Sequence, residues 1–249
     1  VISLSAVEGL PEISPGQDLA AEIVSALGAD GLIAGDVLVI AHKAVSKAEG
    51  RIRALSEVEP GDRAMTLARE QDRDPRHVQV ILDEARSVVR AQRGVLITET
   101  RHGFICANSG VDASNVPGDD ALVLLPVDPD ASARGLRARL RELTGVAPGI
   151  VITDSFGRAW RSGQCDVAIG CAGLEPCEDL RGQRDTHGRE MRATLIAVAD
   201  ELAAAADLAR RKAGRQPVVL IRGAGRHVTE ADGPGAASLI RAAEQDLFR

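Results

Sequence analysis

Six short runs rich in Val, Ile and Leu punctuate this chain, with stretches of helical spacing between them. The runs are DVLVIAHK (36–43), GVLITET (94–100), ALVLLPV (121–127), GIVITD (149–154), VAIGCAG (167–173) and PVVLIRG (217–223). Short apolar runs bounded by turn-forming residues read as β-strands. Helical spacing covers 17–27, 75–91, 131–143, 194–211 and 235–247. Asp74 ahead of Pro75 is a capping residue followed by proline at the first helical position. Acidic and small polar residues likewise precede the helix at 131–143. Strands interleaved with helices predict a mixed α/β (α+β) fold and leave the strand order open. No internal repeat or low-complexity linker divides the chain, and a boundary is expected near 145–149 or within 175–188.

With no Tyr, one Trp and three Phe, the core must be aliphatic. A net charge of -6 argues against a general nucleic-acid binder, which carries a basic patch. No run is long and apolar enough to span a membrane, and VISLSAVEGLPEI lacks the basic flank of a signal peptide. Cys106, Cys165, Cys171 and Cys177 form no C-x-x-C pair, so free thiols in a reducing cytosol are expected. Only Lys43, Lys47 and Lys212 are lysines; the other cations are arginines. Two lysines within AHKAVSKAEG therefore stand out.

Several segments are equipped for chemistry. In VITDSFGRAWRSGQCD (151–166) an apolar strand runs out at Asp154-Ser155 into a Gly-rich polar loop carrying Arg158, Arg161 and Gln164. A carboxylate and a hydroxyl placed there suit Mg²⁺ or Mn²⁺, which take oxygen ligands and need few carboxylates when phosphate is bound. A strand end whose Asp bonds the local backbone fits the same pattern. In AHKAVSKAEGRI (41–52) a strand leads into a loop bearing His42, Lys43, Ser46 and Lys47. Ammonium groups there suit phosphate, or simply form a solvated cationic face. No Walker motif is present. ETRHGFICANSGVDASNVPG (99–118) is a long polar segment in which Asp112 is a second candidate metal ligand, or part of an Asx-rich turn. LRGQRDTHGREM (180–191) holds Arg181, Arg184 and Arg189 and is either an anion clamp or an exposed loop with internal ion pairs. GLPEISPGQDL (9–19) reads as a turn joining an edge strand to a helix. The Gly-rich stretch 221–241 does not satisfy G-x-G-x-x-G, because Val228 takes the third glycine position, so a dinucleotide-binding fold is not expected.

Taken in chain order, GLPEISPGQDL, GDVLVIAHKAVSKAEGR, TRHGFICANSGVDASNVP, LLPVDPDASARGLR, VITDSFGRAWRSGQCDVAIGCAGL, RGQRDTHGREM, AVADELAAAADL, PVVLIRG and EQDLFR resemble the coenzyme F-420-0:L-glutamate ligases, also called F-420 gamma-glutamyl ligases. The resemblance implies a GTP-dependent ligase. A carboxylate of the deazaflavin precursor, F-420-0 or its dehydro form, is activated as an acyl phosphate. L-glutamate then attacks, GDP and phosphate leave, and later glutamates join through gamma linkages. It implies two Mg²⁺ or Mn²⁺ ions per site, with K⁺ a candidate further cation. Carried onto this chain, it places Leu10, Pro11, Glu12, Ile13, His42, Lys47 and Asn115 at nucleotide-binding positions. It assigns Asp112 and Asp154 to one metal and Ser155 to a second. Asp112, Asp154 and Lys47 become the catalytic set. It also implies a cytoplasmic homodimer with the nucleotide in a cleft, and one ligase domain over 1–249, standing alone or within a longer protein, without the nitroreductase-like domain of some bacterial relatives.

Three positions depart from that pattern. His42 stands where relatives usually have Ser or Thr, and Cys165 where they have Thr. Arg210-Arg211-Lys212 occupies the place of a metal-binding Met-Gly-Gln segment, so Lys212 is a candidate replacement for a metal charge. A related amide ligase with another acceptor or amino acid, and a non-catalytic nucleotide-binding module, are the alternative readings.

Overall fold

The computed structural model describes residues 1–114, 120–210 and 215–246. Down the chain the strands and helices are β1 (Ser3–Ala6), α1 (Leu19–Leu27), β2 (Val37–Ala41), α2 (His42–Ala48), β3 (Ile52–Ala54), α3 (Asp62–Gln71), α4 (Pro75–Glu84), β4 (Ala85–Gln92), β5 (Val95–Thr100), β6 (Ile105–Ala107), β7 (Ala121–Val123), α5 (Pro129–Thr144), β8 (Gly149–Arg158), β9 (Arg161–Ala172), β10 (Glu178–Asp179), β11 (Leu195–Ile196), α6 (Val198–Ala209) and β12 (Val218–Arg222). The expected mixed α/β fold is what the chain adopts.

The main sheet has the order β1-β12-β2-β8-β9. Its centre is the parallel pair β2–β8, with Ala41 opposite Thr153; the other pairings are antiparallel. Strand periodicity sends alternate side chains to opposite faces. Leu38, Ile40, Ile150, Ile152, Val218 and Leu220 join one core with Ile23 of α1 and Leu140 of α5. Val37, Val39, Val151, Val219 and Ile221 join a second with Val198, Leu202 and Ala206 of α6. Helices on both faces explain why these strands read as unbroken apolar runs rather than alternating ones. A third core lies apart, between α3, α4, β5 and β7, around Ala64, Ile81, Leu96 and Leu122.

Local chemistry sets several helix starts. Asp18 and Asp128 accept hydrogen bonds from Ala21 N and Ala131 N at the mouths of α1 and α5. Asp74 accepts from Arg76 N with Pro75 at the head of α4, as expected. The start of α5 presses on β9 so closely that a Cβ on Gly170 would lie 2.4 Å from Pro129 O. Leu140 and Ile150, on either side of 145–149, share one core.

Several expectations are corrected. The helix expected over 75–91 ends at Glu84, and Ala85–Gln92 is a strand paired with β5. Arg93 and Gly94 both take positive φ (54° and 76°), the requirement of a two-residue hairpin turn, and that turn outweighs helical spacing. Where a helix is expected over 235–247, the described residues, which end at 246, form two short 3₁₀ turns, Ala236–Leu239 and Ala243–Gln245. Asp130 of α5 takes the N–H groups of Ala236 and Ala237, tying that segment to the body instead. The polar loop expected after Asp154 is a two-stranded arm: β8 and β9 stay paired out to Arg158 and Arg161. The loop expected to carry His42, Lys43, Ser46 and Lys47 is α2.

Candidate functional site

Helix α2 begins where β2 leaves the sheet, beside the parallel neighbour β8. Its cationic and imidazole side chains meet three acidic residues from three distant segments. His42 Nε2 lies 3.3 Å from Asp154 Oδ1 on β8. Lys43 Nζ lies 2.6 Å from Asp112 Oδ2. Lys47 Nζ pairs with Glu12 Oε1. His42 and Lys47 are buried. The imidazole is steadied on its other side by Ser46 Oγ, 3.3 Å from Nδ1.

Asp112 is held from several directions. Ser114 donates to it through its N–H (2.7 Å) and its hydroxyl (3.1 Å), and Lys43 also donates to Ser114 Oγ at 2.7 Å. Burial pushes the Asp112 carboxyl up, but the Lys43 and Ser114 hydrogen bonds outweigh it and leave it below the ordinary carboxylate range. Asp112 is thus a carboxylate at neutral pH. His77 lies within electrostatic range of it; burial and the Arg73 cation hold that imidazole below its usual value.

On the β8 side, Ser155 N donates to Asp154 Oδ1 (2.8 Å), and Ser155 Oγ donates to Asp166 Oδ1 (2.6 Å). With its hydrogen committed to Asp166, the Ser155 oxygen keeps its lone pairs for another partner. Asp166 is buried, and accepts also from Thr153 Oγ1 (2.9 Å) and Arg210 Nη1 (2.8 Å). Sequence reasoning named Arg210 only as part of the Arg210-Arg211-Lys212 segment and did not single out Asp166. The signal for Asp166 is its place on the strand facing Ser155, two-residue periodicity turning both toward one another once the arm is recognised as a hairpin.

The other expected site residues divide. Glu12 reaches α2, whereas Ile13 is buried in the sheet's core and Leu10 packs against it; Pro11 is exposed. Asn115, Arg211 and Lys212 lie outside the described residues. The arginine segment 180–191 folds on itself: Arg181 pairs with Asp179 at 2.5 Å, Asp185 accepts from His187 N and Arg189 N, and Arg184 donates to Gly188 O. All four cysteines are free, Cys106 and Cys171 buried and the other two half-buried.

Mg²⁺ and Mn²⁺ prefer oxygen, and Asp112, Asp154 and Ser155 offer two carboxylates and a hydroxyl. Among the described residues no three His, Cys, Asp or Glu side chains converge into a self-sufficient metal cage. Oxygen donors of this kind suit a divalent ion only where its remaining positions would be filled from elsewhere.

Residues 9–223 match the sequence profile of the F420-0:Gamma-glutamyl ligase family. The chain belongs to that family. It is 45% identical over 252 residues to the coenzyme F420:L-glutamate ligase of Methanothermobacter thermautotrophicus, covering 100% of this chain and 99% of the relative. The Methanopyrus kandleri protein of the same name is 47% identical over 240 residues, 96% of this chain and 94% of its own. That of Methanocaldococcus jannaschii is 44% identical over 216 residues, 86% and 85% of the two chains. The segments of this F420-0:gamma-glutamyl ligase chain that contribute Glu12, α2, Asp112 and Asp154 all fall within the matched span. No helix among its described residues is long and apolar enough to cross a membrane.

Proposed function

We propose that this chain joins L-glutamate to F420-0 through an amide bond and extends the product through gamma linkages, using GTP. The observation that carries this reading is the convergence of Glu12, Asp112 and Asp154 on the single helix α2. Phosphoryl transfer is mostly positioning and charge neutralisation. Lys43 and Lys47 are ammonium groups already held in place by carboxylates, and a triphosphate entering beside α2 offers them stronger anionic partners. Once Lys43 turns to phosphate, Asp112 is left ionised for a divalent cation. Asp112 and Asp154 would hold Mg²⁺ or Mn²⁺, with Ser155 contributing to a second ion. Such ions supply charge stabilisation to the transferring phosphoryl group.

In the proposed reaction the F420-0 carboxylate takes the γ-phosphoryl group of GTP, releasing GDP. The glutamate amine then displaces phosphate from the acyl phosphate and loses a proton as the amide forms. His42 lies against Asp154, and Lys47 orients phosphate from a buried, water-poor helix face. A homodimer and a K⁺ requirement belong to the same proposal.

The reading is tested by GDP release from the folded protein with GTP and Mg²⁺. Release that requires both L-glutamate and F420-0 is expected. Release unaffected by omitting either one, or no release at all, contradicts it.

A further inference from the structure

Aromatic rings are scarce in this chain: no Tyr, three Phe and one Trp. Two of them are committed at the base of the β8–β9 arm. Phe104 is buried, and Phe156 packs against the same core, edge-on to Phe104 with centroids 6.1 Å apart. Phe248 lies outside the described residues. Trp160 sits instead at the tip of the arm, between β8 and β9, and is 81% exposed. The turn holds it there against local preference. Arg158 and Arg161 close the hairpin, and Trp160 between them takes φ 62°. A bulky side chain in the left-handed region is an outlier, at a place glycine fills without strain. Such outliers cluster at ligand clamps and active sites.

The arm joins this ring to the α2 site. Asp154 meets His42 of α2 on one face of β8, and Phe156 and Arg158 follow on that face by two-residue alternation. The four residues from Asp154 to Arg158 cover about 14 Å of antiparallel strand. F420-0 carries its reacting carboxylate and its flat, fused deazaflavin ring at separate ends. With the carboxylate beside Asp154, the ring needs a flat apolar partner some way off. Trp160 is the large exposed ring that the described residues offer, and aromatic faces pair well when stacked with an offset. We propose that Trp160 is the stacking platform for the deazaflavin ring of F420-0 and so selects the acceptor by its ring. The platform rests on the ligase reading, which brings the F420-0 carboxylate to the α2 site.

The test measures binding of F420-0, and of GDP with Mg²⁺, to the unaltered protein, Trp160→Gly and Trp160→Phe by titration calorimetry. Glycine suits the left-handed turn, so Trp160→Gly should fold at least as well as the unaltered chain. Its affinity for F420-0 is expected to fall about tenfold or more, the scale of one lost stacking contact. GDP affinity should hold, and Trp160→Phe should lie in between. Unchanged F420-0 affinity in Trp160→Gly overturns the platform. So does a fall for GDP alone, which would give the ring to guanine.

A second arm needs no variant. Trp160 is the sole Trp, so all indole emission reports on it. Saturating F420-0 is expected to lower the bimolecular constant for its quenching by acrylamide, which must touch the ring. An indole that F420-0 leaves as accessible as before overturns the proposal. An indole already shielded without F420-0, as a second copy seated on the tip would leave it, overturns it too. Failure of the ligase reading shows elsewhere. F420-0 that binds with these signatures but gains no glutamyl unit overturns that reading and keeps the platform.

Discussion

Lys43 Nζ sits 2.6 Å from Asp112 Oδ2, joining the first turn of α2 to the segment beyond β6. The contact favours the ionised form of the carboxylate beside a compact ammonium cation. It also makes an acid dependence calculable in sign. The Asp112 carboxyl lies below its ordinary value of 3.8 in the folded protein. A lowered folded value means that the pair stabilises the fold above about pH 4 and that this is lost as pH falls through the folded value. Lys43→Met removes the main opposing charge, and burial then moves the carboxyl upward. Acid unfolding of the variant is expected to begin at higher pH. Because Asp112 is partly exposed, the loss at pH 7 should be no more than about 1 kcal/mol. Urea titrations at pH 7 and pH 4 read both quantities; an unchanged acid limb contradicts the assignment.

Asp112→Asn and Asp154→Asn are near-isosteric and remove one negative charge each. Turnover should fall by about 10²-fold or more in each, the scale seen when a preorganised charge contact is deleted. Steady-state rates alongside thermal midpoints separate lost chemistry from lost fold. Undiminished turnover in either variant removes that residue from the site.

Asp130 tests the architecture rather than the chemistry. Its carboxylate accepts from Cys171 N (2.8 Å), Ala236 N (2.7 Å) and Ala237 N (3.1 Å), joining α5, β9 and the C-terminal segment. Asp130→Ala strands these donors and should cost about 3 kcal/mol. Gly235→Ala should also destabilise, since φ is +80° there and a Cβ would lie 2.4 Å from Asp130 Oδ2. Chemical denaturation of both variants checks this, and wild-type midpoints would count against the tie.

Thiol reactivity should divide the four cysteines. Burial, with the charge of Asp154, pushes the Cys106 thiol up to about 12, and burial with Asp130 does the same for Cys171. Only the thiolate alkylates at a useful rate. Iodoacetamide at pH 8 should spare both in the native protein and label them after denaturation, as peptide mass mapping would report. Rapid native labelling of Cys106 contradicts its place in the fold.

Much of the central sheet was legible because its strands are covered on both faces, so Val37–Ala41, Gly149–Thr153 and Val218–Arg222 read as apolar runs. Family membership was legible from the ordered co-occurrence of segments. The β8–β9 arm was not, since Ser155–Gln164 is polar and glycine-bearing and signals a loop when read alone. Pairing with a facing strand decides such a stretch, and pairing is a non-local property. The same limit hid Asp166, whose meaning depends on Ser155 standing opposite it on the neighbouring strand. Lys43 read as a cation at a strand end; that its partner is Asp112 follows only from the fold.

The convergence on α2 is tested most directly by the mass of the product formed from F420-0, L-glutamate, GTP and Mg²⁺. A gain of glutamyl units with the unaltered protein, absent with Asp154→Asn, is the expected result. An unchanged F420-0 mass with well-folded protein, or equal product from Asp154→Asn, would contradict it.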